Sequence, residues 1–287
     1  MGIGKEISIG STETLSALPI EYPPPQPQSV KQKNRQILRY WINAPIRVDF
    51  LLEVQLLALG FASGLEDATT FPDFFCYTSN QTGNTISLSI GLAGLRPGVN
   101  FYLKNVAFSL SLFIVSCWAM GQTGNYVGST RRLWVLVSSL IQTAMVFAAG
   151  WIMNSVPNIL EQLRTNPSQP WTWSTLSLLA FSAGGQVAMA RGVRVPEIST
   201  ANASSAYVDL LVDPNLYAKH NRSRNRRVAF LVVLAAGCVV GAFLHERLSS
   251  PMALIVSGAV KLVVTLGFAF NKSEDGSLAP RGELMLA

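Results

Sequence analysis

The chain has 287 residues, 49% apolar and 13% charged, against a charged share of about 25% for soluble domains. The net charge of +6 would suit nucleic acid, but the basic residues stand beside long apolar runs. The positive-inside bias of membrane proteins explains that placement, and nucleic acid is excluded as a partner. Cys76, Cys117 and Cys238 each sit inside an apolar run, with neither a disulfide framework nor a metal-ligand spacing.

Residues 1–47 read as a disordered, Pro-rich, basic tail. Pro19, Pro23, Pro24, Pro25 and Pro27 favour extended polyproline-like chain, and Lys31, Lys33, Arg35, Arg39 and Arg47 place it on the cytoplasmic side. An SH3-type partner could bind the PPPQP run; a solvated leader is the plainer reading. Eight apolar segments follow, at 48–70, 74–95, 101–121, 133–153, 174–190, 198–212, 228–244 and 251–270. The first can cross a bilayer core of roughly 30 Å. The second carries Asn80, Gln81, Thr82 and Asn84, and the sixth, ISTANASSAYVDLLV, is short and polar. A loop at 154–173 ends on Trp171 and Trp173, expected interfacial anchors. Another, with Lys219, Arg222, Arg224, Arg226 and Arg227, is the most basic, and 272–287 form a polar tail.

Sliding the chain against itself by 120 positions lays Phe61 on Phe181, Gly64 on Gly184 and Glu66 on Gln186. Thr82-Gly83-Asn84 falls on Thr200-Ala201-Asn202 at a shift of 118, and Cys117 on Cys238 at 121. The expectation is an all-α, polytopic integral membrane protein with six to eight transmembrane segments in two homologous halves, 48–153 and 174–271. Segments two and six are short or interrupted. If they cross, the halves are parallel; if they are re-entrant, six spans remain and the halves are inverted. Paired interrupted segments of this kind point to a transporter binding site at the repeat interface.

Polar residues at membrane depth are tolerated when buried in protein or lining a watery cavity. Thr82 and Asn84 are expected to cap the helix after Gly83, with Thr200 and Asn202 doing the same in the second half. Glu66 and Asp67 diverge by about 100° on a helix, so only one of them can face the cavity; the family resemblance described below favours Asp67. Lys261 sits in the eleventh place of a twenty-residue apolar run, too deep to snorkel. It should face the interior near Asp67, Asp209 or Glu66. Glu66 and Asp209 are the candidate ionisable relay, and Asp67, Asn80, Thr82, Gly83, Asn84, Thr200, Asn202 and Lys261 the candidate solute-binding set. The GxxxG spacings at Gly60/Gly64 and Gly237/Gly241, and Ala180/Gly184, suit close helix packing within the bundle, or else a homo-oligomer interface. His220 and His245, at segment ends, read as loop residues. No catalytic set, cofactor motif or metal spacing occurs, so the chain is not read as an enzyme.

The Gly64-x-x-Asp67-Ala68 element and the Asn80-x-Thr82-Gly83-Asn84-Thr85 element resemble those of the YoaK-like membrane proteins, the family catalogued as domain of unknown function 1275. Residues 197–214 look like the variant in fungal members, and the resemblance covers roughly 48–270. It implies a multi-pass membrane protein and no substrate. Phe71-Pro72-Asp73 departs from the family's more apolar run, which bears on the course of segment two. The leading expectation is a transporter of a small polar solute or ion. A non-transporting scaffold or accessory protein is the alternative, and a membrane-embedded enzyme comes third.

Overall fold

The computed structural model describes residues 30–94, 102–166 and 169–274. The Pro-rich run and most of the C-terminal tail lie outside them. The described residues form helices and no strands, with two isolated bridge pairings, Pro45 with Arg131 and Ile46 with Ser273. In chain order the helices are α1 (Val30–Asn43), α2 (Phe50–Phe74), α3 (Gln81–Leu92), α4 (Leu103–Val127), α5 (Arg132–Asn154), α6 (Ile159–Thr165), α7 (Pro170–Gly192), α8 (Ala203–Leu211), α9 (Arg222–Arg247) and α10 (Ser250–Phe268). Four of them, α4, α5, α9 and α10, are long and apolar enough to cross a membrane. Their exposed side chains, such as Ile114 and Trp118 on α4 and Val239 and Phe243 on α9, suit contact with lipid. The protein is a helical membrane protein.

Several boundaries differ from the sequence expectation. Val30–Asn43 is helix rather than disordered tail, and α1 meets α5, where Arg132 donates to the Trp41 carbonyl and lies over its ring. Helix α2 runs on through Pro72 to Phe74, because one missing amide in the last turn of a packed helix is affordable. Helix α9 takes in the basic run expected as a loop: Asn221 caps it by accepting from the Arg224 amide. The loop expected at 154–173 holds α6 and the start of α7, with Trp171 half-buried against Phe74 and donating to Gln162.

Contacts fix the direction of each long helix. At one end, Asn105 near the start of α4 donates to the Phe74 carbonyl at the end of α2, and His245 in the last turn of α9 bonds Asp73. His245 is therefore a helical tie rather than a loop residue. Val106, Met153, Leu176 and Leu254 pack with Phe74 at that end. At the other end Glu53 near the start of α2 pairs with Arg222 and Arg226 in the first turns of α9. Here too Ser129 before α5 donates to the Gly192 carbonyl of α7, and Arg132 donates to the Asn271 carbonyl after α10. Helices α2, α5 and α9 thus run one way and α4, α7 and α10 the other.

Glycines bring the pairs together. A Cβ on Gly64 would lie 2.4 Å from the Leu234 carbonyl, and one on Gly237 2.1 Å from the Phe61 carbonyl, so α2 and α9 touch backbone to backbone. Gly184 does the same for α7 and α4, where a Cβ would stand 2.6 Å from the Phe113 carbonyl. These glycines pack helices against one another within the chain, the first of the two readings given for their spacing.

Candidate functional site

The two short helices place the site. Helix α3 has 12 residues and α8 has 9, about 18 Å and 14 Å at 1.5 Å per residue, too short for a hydrocarbon core of about 30 Å. After Phe74 the chain turns through Phe75, in the left-handed region at φ 55°, and runs back beside α2 as a non-helical segment to Asn80. Backbone polar groups buried among helices need partners, and two side chains supply them.

The first is Asp67. Its Oδ1 accepts from the Thr78 amide (2.8 Å), the Thr78 hydroxyl (3.0 Å) and the Ser79 amide (2.8 Å). Its Oδ2 accepts from the Ser79 hydroxyl (2.6 Å) and the Asn80 amide (3.1 Å). Five donors to two oxygens match an acceptor-only carboxylate. The second is Asn84, which accepts from the Tyr77 amide at 2.9 Å and donates to the Tyr77 carbonyl at 2.7 Å, pairing with one residue's backbone as a neighbouring strand would. Ser109 on α4 donates to the same carbonyl. Asp67 and Asn84 therefore hold the inward loop, which leaves neither side chain free as the solute ligand expected of it.

The caps also differ. Asn80, not Thr82 or Asn84, caps α3 by accepting from the Gly83 amide, and Thr82, Gly83 and Asn84 lie within the helix. Asn202 caps α8 by accepting from the Ser204 amide. Thr200 is a different case, a fully buried β-branched residue at φ 61°. That is the left-handed region Thr rarely occupies, and no cap bond is made by its hydroxyl. The register between the caps Asn80 and Asn202 is 122, and the same step takes buried Asn84 to buried Ala206.

Where the tips approach each other lies a cavity of about 520 Å³. Tyr77, Ser79, Asn80, Gln81 and Thr82 line it from the first tip, and Asn202, Ala203 and Ser204 from the second. Asp67, Phe71 and Pro72 of α2, Phe113 of α4, Arg191 of α7 and Cys238 of α9 also stand in the wall, and Gly64, Ala68, Val187, Ala201 and Leu234 make much of it apolar. Of the candidates, Asp67, Asn80, Thr82 and Asn202 line it; Gly83, Asn84, Thr200 and Lys261 do not. Arg191 went unmarked in the sequence reading, because it lies at the end of an apolar segment where a basic residue is ordinary.

Lys261 is elsewhere, on the other side of α2. Its Nζ lies 2.8 Å from Glu66 Oε1, and both side chains are at most 1% exposed. Of the three acids offered as partners, Glu66 is the one that meets it. Asp209 is exposed on α8 beside Asp213, far from that pair in the fold, so the two do not form a relay. The basic end carries a second ionic group. Glu197 accepts from Ser223 and Arg226, and Asp213 from Asn221 and Arg227. Burial pushes the Glu197 carboxyl up, but hydrogen bonds and the nearby Arg226 and Arg227 hold it below the usual value. Hydrogen bonds from Asn221 and the Asn215 amide hold Asp213 low. Among the described residues no group of His, Cys, Asp and Glu is placed to hold a metal ion.

A family model described as "Protein of unknown function (DUF1275)" matches residues 55–267. The chain belongs to that family. The matched span runs from early α2 to the end of α10 and so contains both inward tips, the cavity and the Glu66–Lys261 pair. No curated protein and no solved structure matches the chain.

Proposed function

We propose that the protein is a transporter of a small polar solute or ion, which binds between the tips of α3 and α8. The observation that carries this reading is the cavity of about 520 Å³ where two interrupted helices converge, with Ser79, Asn80, Gln81, Thr82, Asn202 and Ser204 set in an otherwise largely apolar wall. Irregular backbone at membrane depth is expected where it is buried in protein or lines a water-filled cavity. Transporters build such sites from discontinuous helices at a repeat interface.

The reading includes six membrane-crossing helices (α2, α4, α5, α7, α9 and α10) in two halves of inverted orientation, each with one re-entrant helix. Pairings across the chain support it. Helix α2 packs on α9 as α7 packs on α4, α2 on α10 as α7 on α5, and α3 on α4 as α8 on α9. Gly64 abuts Cys238 as Gly184 abuts Cys117. Helices α2 and α7 run in opposite directions, as an inverted repeat requires. The end holding Arg131, Arg132, Arg191, Arg194, Arg222, Arg224, Arg226 and Arg227 is the more basic and is assigned to the cytoplasm.

Proteoliposomes carrying the protein would be screened for uptake of small polar solutes and inorganic ions, alongside Ala203→Trp, which fills the cavity from the start of α8. Uptake by the unmutated protein that Ala203→Trp abolishes is expected. No uptake of any solute, or uptake untouched by Ala203→Trp, would overturn the reading.

A further inference from the structure

Helix α1 stands ahead of the span that the family model matches, and one junction places it. Arg132, fully buried, donates to the Trp41 carbonyl, the Asn271 carbonyl and the Ser273 hydroxyl. The Ile46 amide donates to the Thr130 carbonyl and the Arg47 amide to the Lys272 carbonyl. The last turn of α1 is thus held where α5 begins and α10 ends, at the level where these two apolar helices reach the membrane surface. The helix carries Lys31, Lys33, Arg35 and Arg39 and no acid. At 100° per residue, Leu38, Lys31, Ile42, Arg35 and Arg39 follow one another around about 100° of its circumference. Trp41 lies on another side, its ring under the Arg132 guanidinium at 4.6 Å. Lys31, Arg35, Leu38 and Arg39 are exposed, Leu38 by 55%. None of the ion pairs between described residues includes Lys31, Arg35 or Arg39. Like charges four apart on a helix repel, and a helix of about 12–15 residues is marginal by itself in water. This side of α1 therefore calls for a partner that brings negative charge and oil together.

We propose that α1 binds the anionic lipid headgroups of the bilayer that holds the protein, through Lys31, Arg35 and Arg39, with Leu38 and Ile42 set among the upper acyl chains. Helices with basic and apolar residues arranged in this way lie in the plane of the interface. The three charges span about 12 Å of a convex helix side, at 1.5 Å per residue, which suits a plane of headgroups rather than one small anion. Each Lys or Arg close to an anionic leaflet strengthens attachment about fivefold. Arg47, Arg131 and Lys272 are exposed at the junction and extend the same charge, with Asp49 and Glu274 as the acids beside them. The proposal rests on the helices crossing a bilayer and not on the transport reading.

The test is hydrogen exchange of the full chain in two kinds of nanodisc, one of phosphatidylcholine alone and one rich in phosphatidylserine. Amides of 34–43 should exchange at least tenfold more slowly in the phosphatidylserine discs, within the roughly hundredfold that three charges allow. The difference should vanish in 1 M salt, where the screening length is about 3 Å. It should also vanish in Lys31→Gln/Arg35→Gln/Arg39→Gln, which keeps the helix propensity of the replaced residues, while α5 stays equally protected throughout. The lipid and salt comparisons need no variant. Equal exchange of α1 in the two lipids overturns the proposal, and if α1 is strongly protected in both, a segment of protein covers it instead. A difference that survives salt or the triple substitution overturns it as well.

Discussion

Removing one member of the central ion pair should cost far more than removing both. Lys261→Met leaves Glu66 with 0% exposure and the Ser257 hydroxyl as its remaining donor. Two unit charges about 4 Å apart interact by roughly 4 kcal/mol at an effective dielectric of 20, and this pair is closer. Breaking a buried pair from one side typically costs about 3–5 kcal/mol, because the surviving charge stays desolvated. Glu66→Leu, which strands the ammonium, should cost a similar amount. The double variant Glu66→Leu/Lys261→Met strands nothing and should fall near the unmutated protein, since apolar replacement of a buried pair is often neutral or stabilising. The assay is unfolding of each variant in mixed micelles titrated with SDS, read by tryptophan fluorescence and closed as a double-mutant cycle. The expected coupling is at least about 3 kcal/mol. Single variants within about 0.5 kcal/mol of the unmutated protein, or a double that adds to within about 0.5 kcal/mol, would refute the reasoning.

Other outcomes follow from the same contacts. Gly237→Leu must drive α9 off the Phe61 carbonyl, where even a Cβ would stand 2.1 Å away. It should lower the unfolding midpoint by at least the 1–3 kcal/mol typical of overpacking, whereas Gly121→Leu, which meets nothing within 4 Å, should change it little. Asp67→Asn exchanges one acceptor oxygen for an amide that repels the loop's N–H groups. Amide exchange at Thr78, Ser79 and Asn80 should speed up by at least tenfold, equivalent to about 1.4 kcal/mol of local opening, while α5 stays protected. Glu197 and Asp213 sit below their usual values in the fold. Their contribution is complete above the unfolded values of about 4.3 and 3.9 and is lost as pH falls through the lower folded ones. Hydrogen exchange over 197–221 should therefore accelerate on acidification below about pH 4, before the helix centres loosen.

Much of this architecture was legible in the sequence, and the reasons differ by region. Segments such as 133–153 were placed to within a residue or so of α5 because oil on every side demands a continuous apolar run with few charges. The α9 start was missed for the opposite reason. Its first two turns carry Arg222, Arg224, Arg226 and Arg227, which look like loop until Glu53 and Glu197, remote in sequence, are brought against them. The interrupted second segment was visible from its polar content, but its turn was misplaced. Gly83 drew attention as the breaker, whereas the break is made by Phe75 in a left-handed conformation and finished by Asn80 as cap. In the second half Arg194, after α7, and Thr200 are both left-handed, at φ 63° and 61°, and propensity alone would choose neither.

The reading of polar residues at depth also needs to be divided. Asp67 and Asn84 are the most conspicuous ones in the sequence, and their hydrogen-bonding capacity goes to the backbone of 77–80, much as water would be used in a soluble loop. A polar side chain in a membrane helix can thus be accounted for by the irregular chain it serves. Among those not accounted for in that way are Glu66 Oε2, Gln142 and Gln186 Oε1, on regular helices. Sequence gives both classes the same appearance, because it shows where a polar group is and not whether a partner meets it. Partner geometry separates them, and it shifts the search for chemistry from the motif residues toward the quieter glutamines and the buried acid.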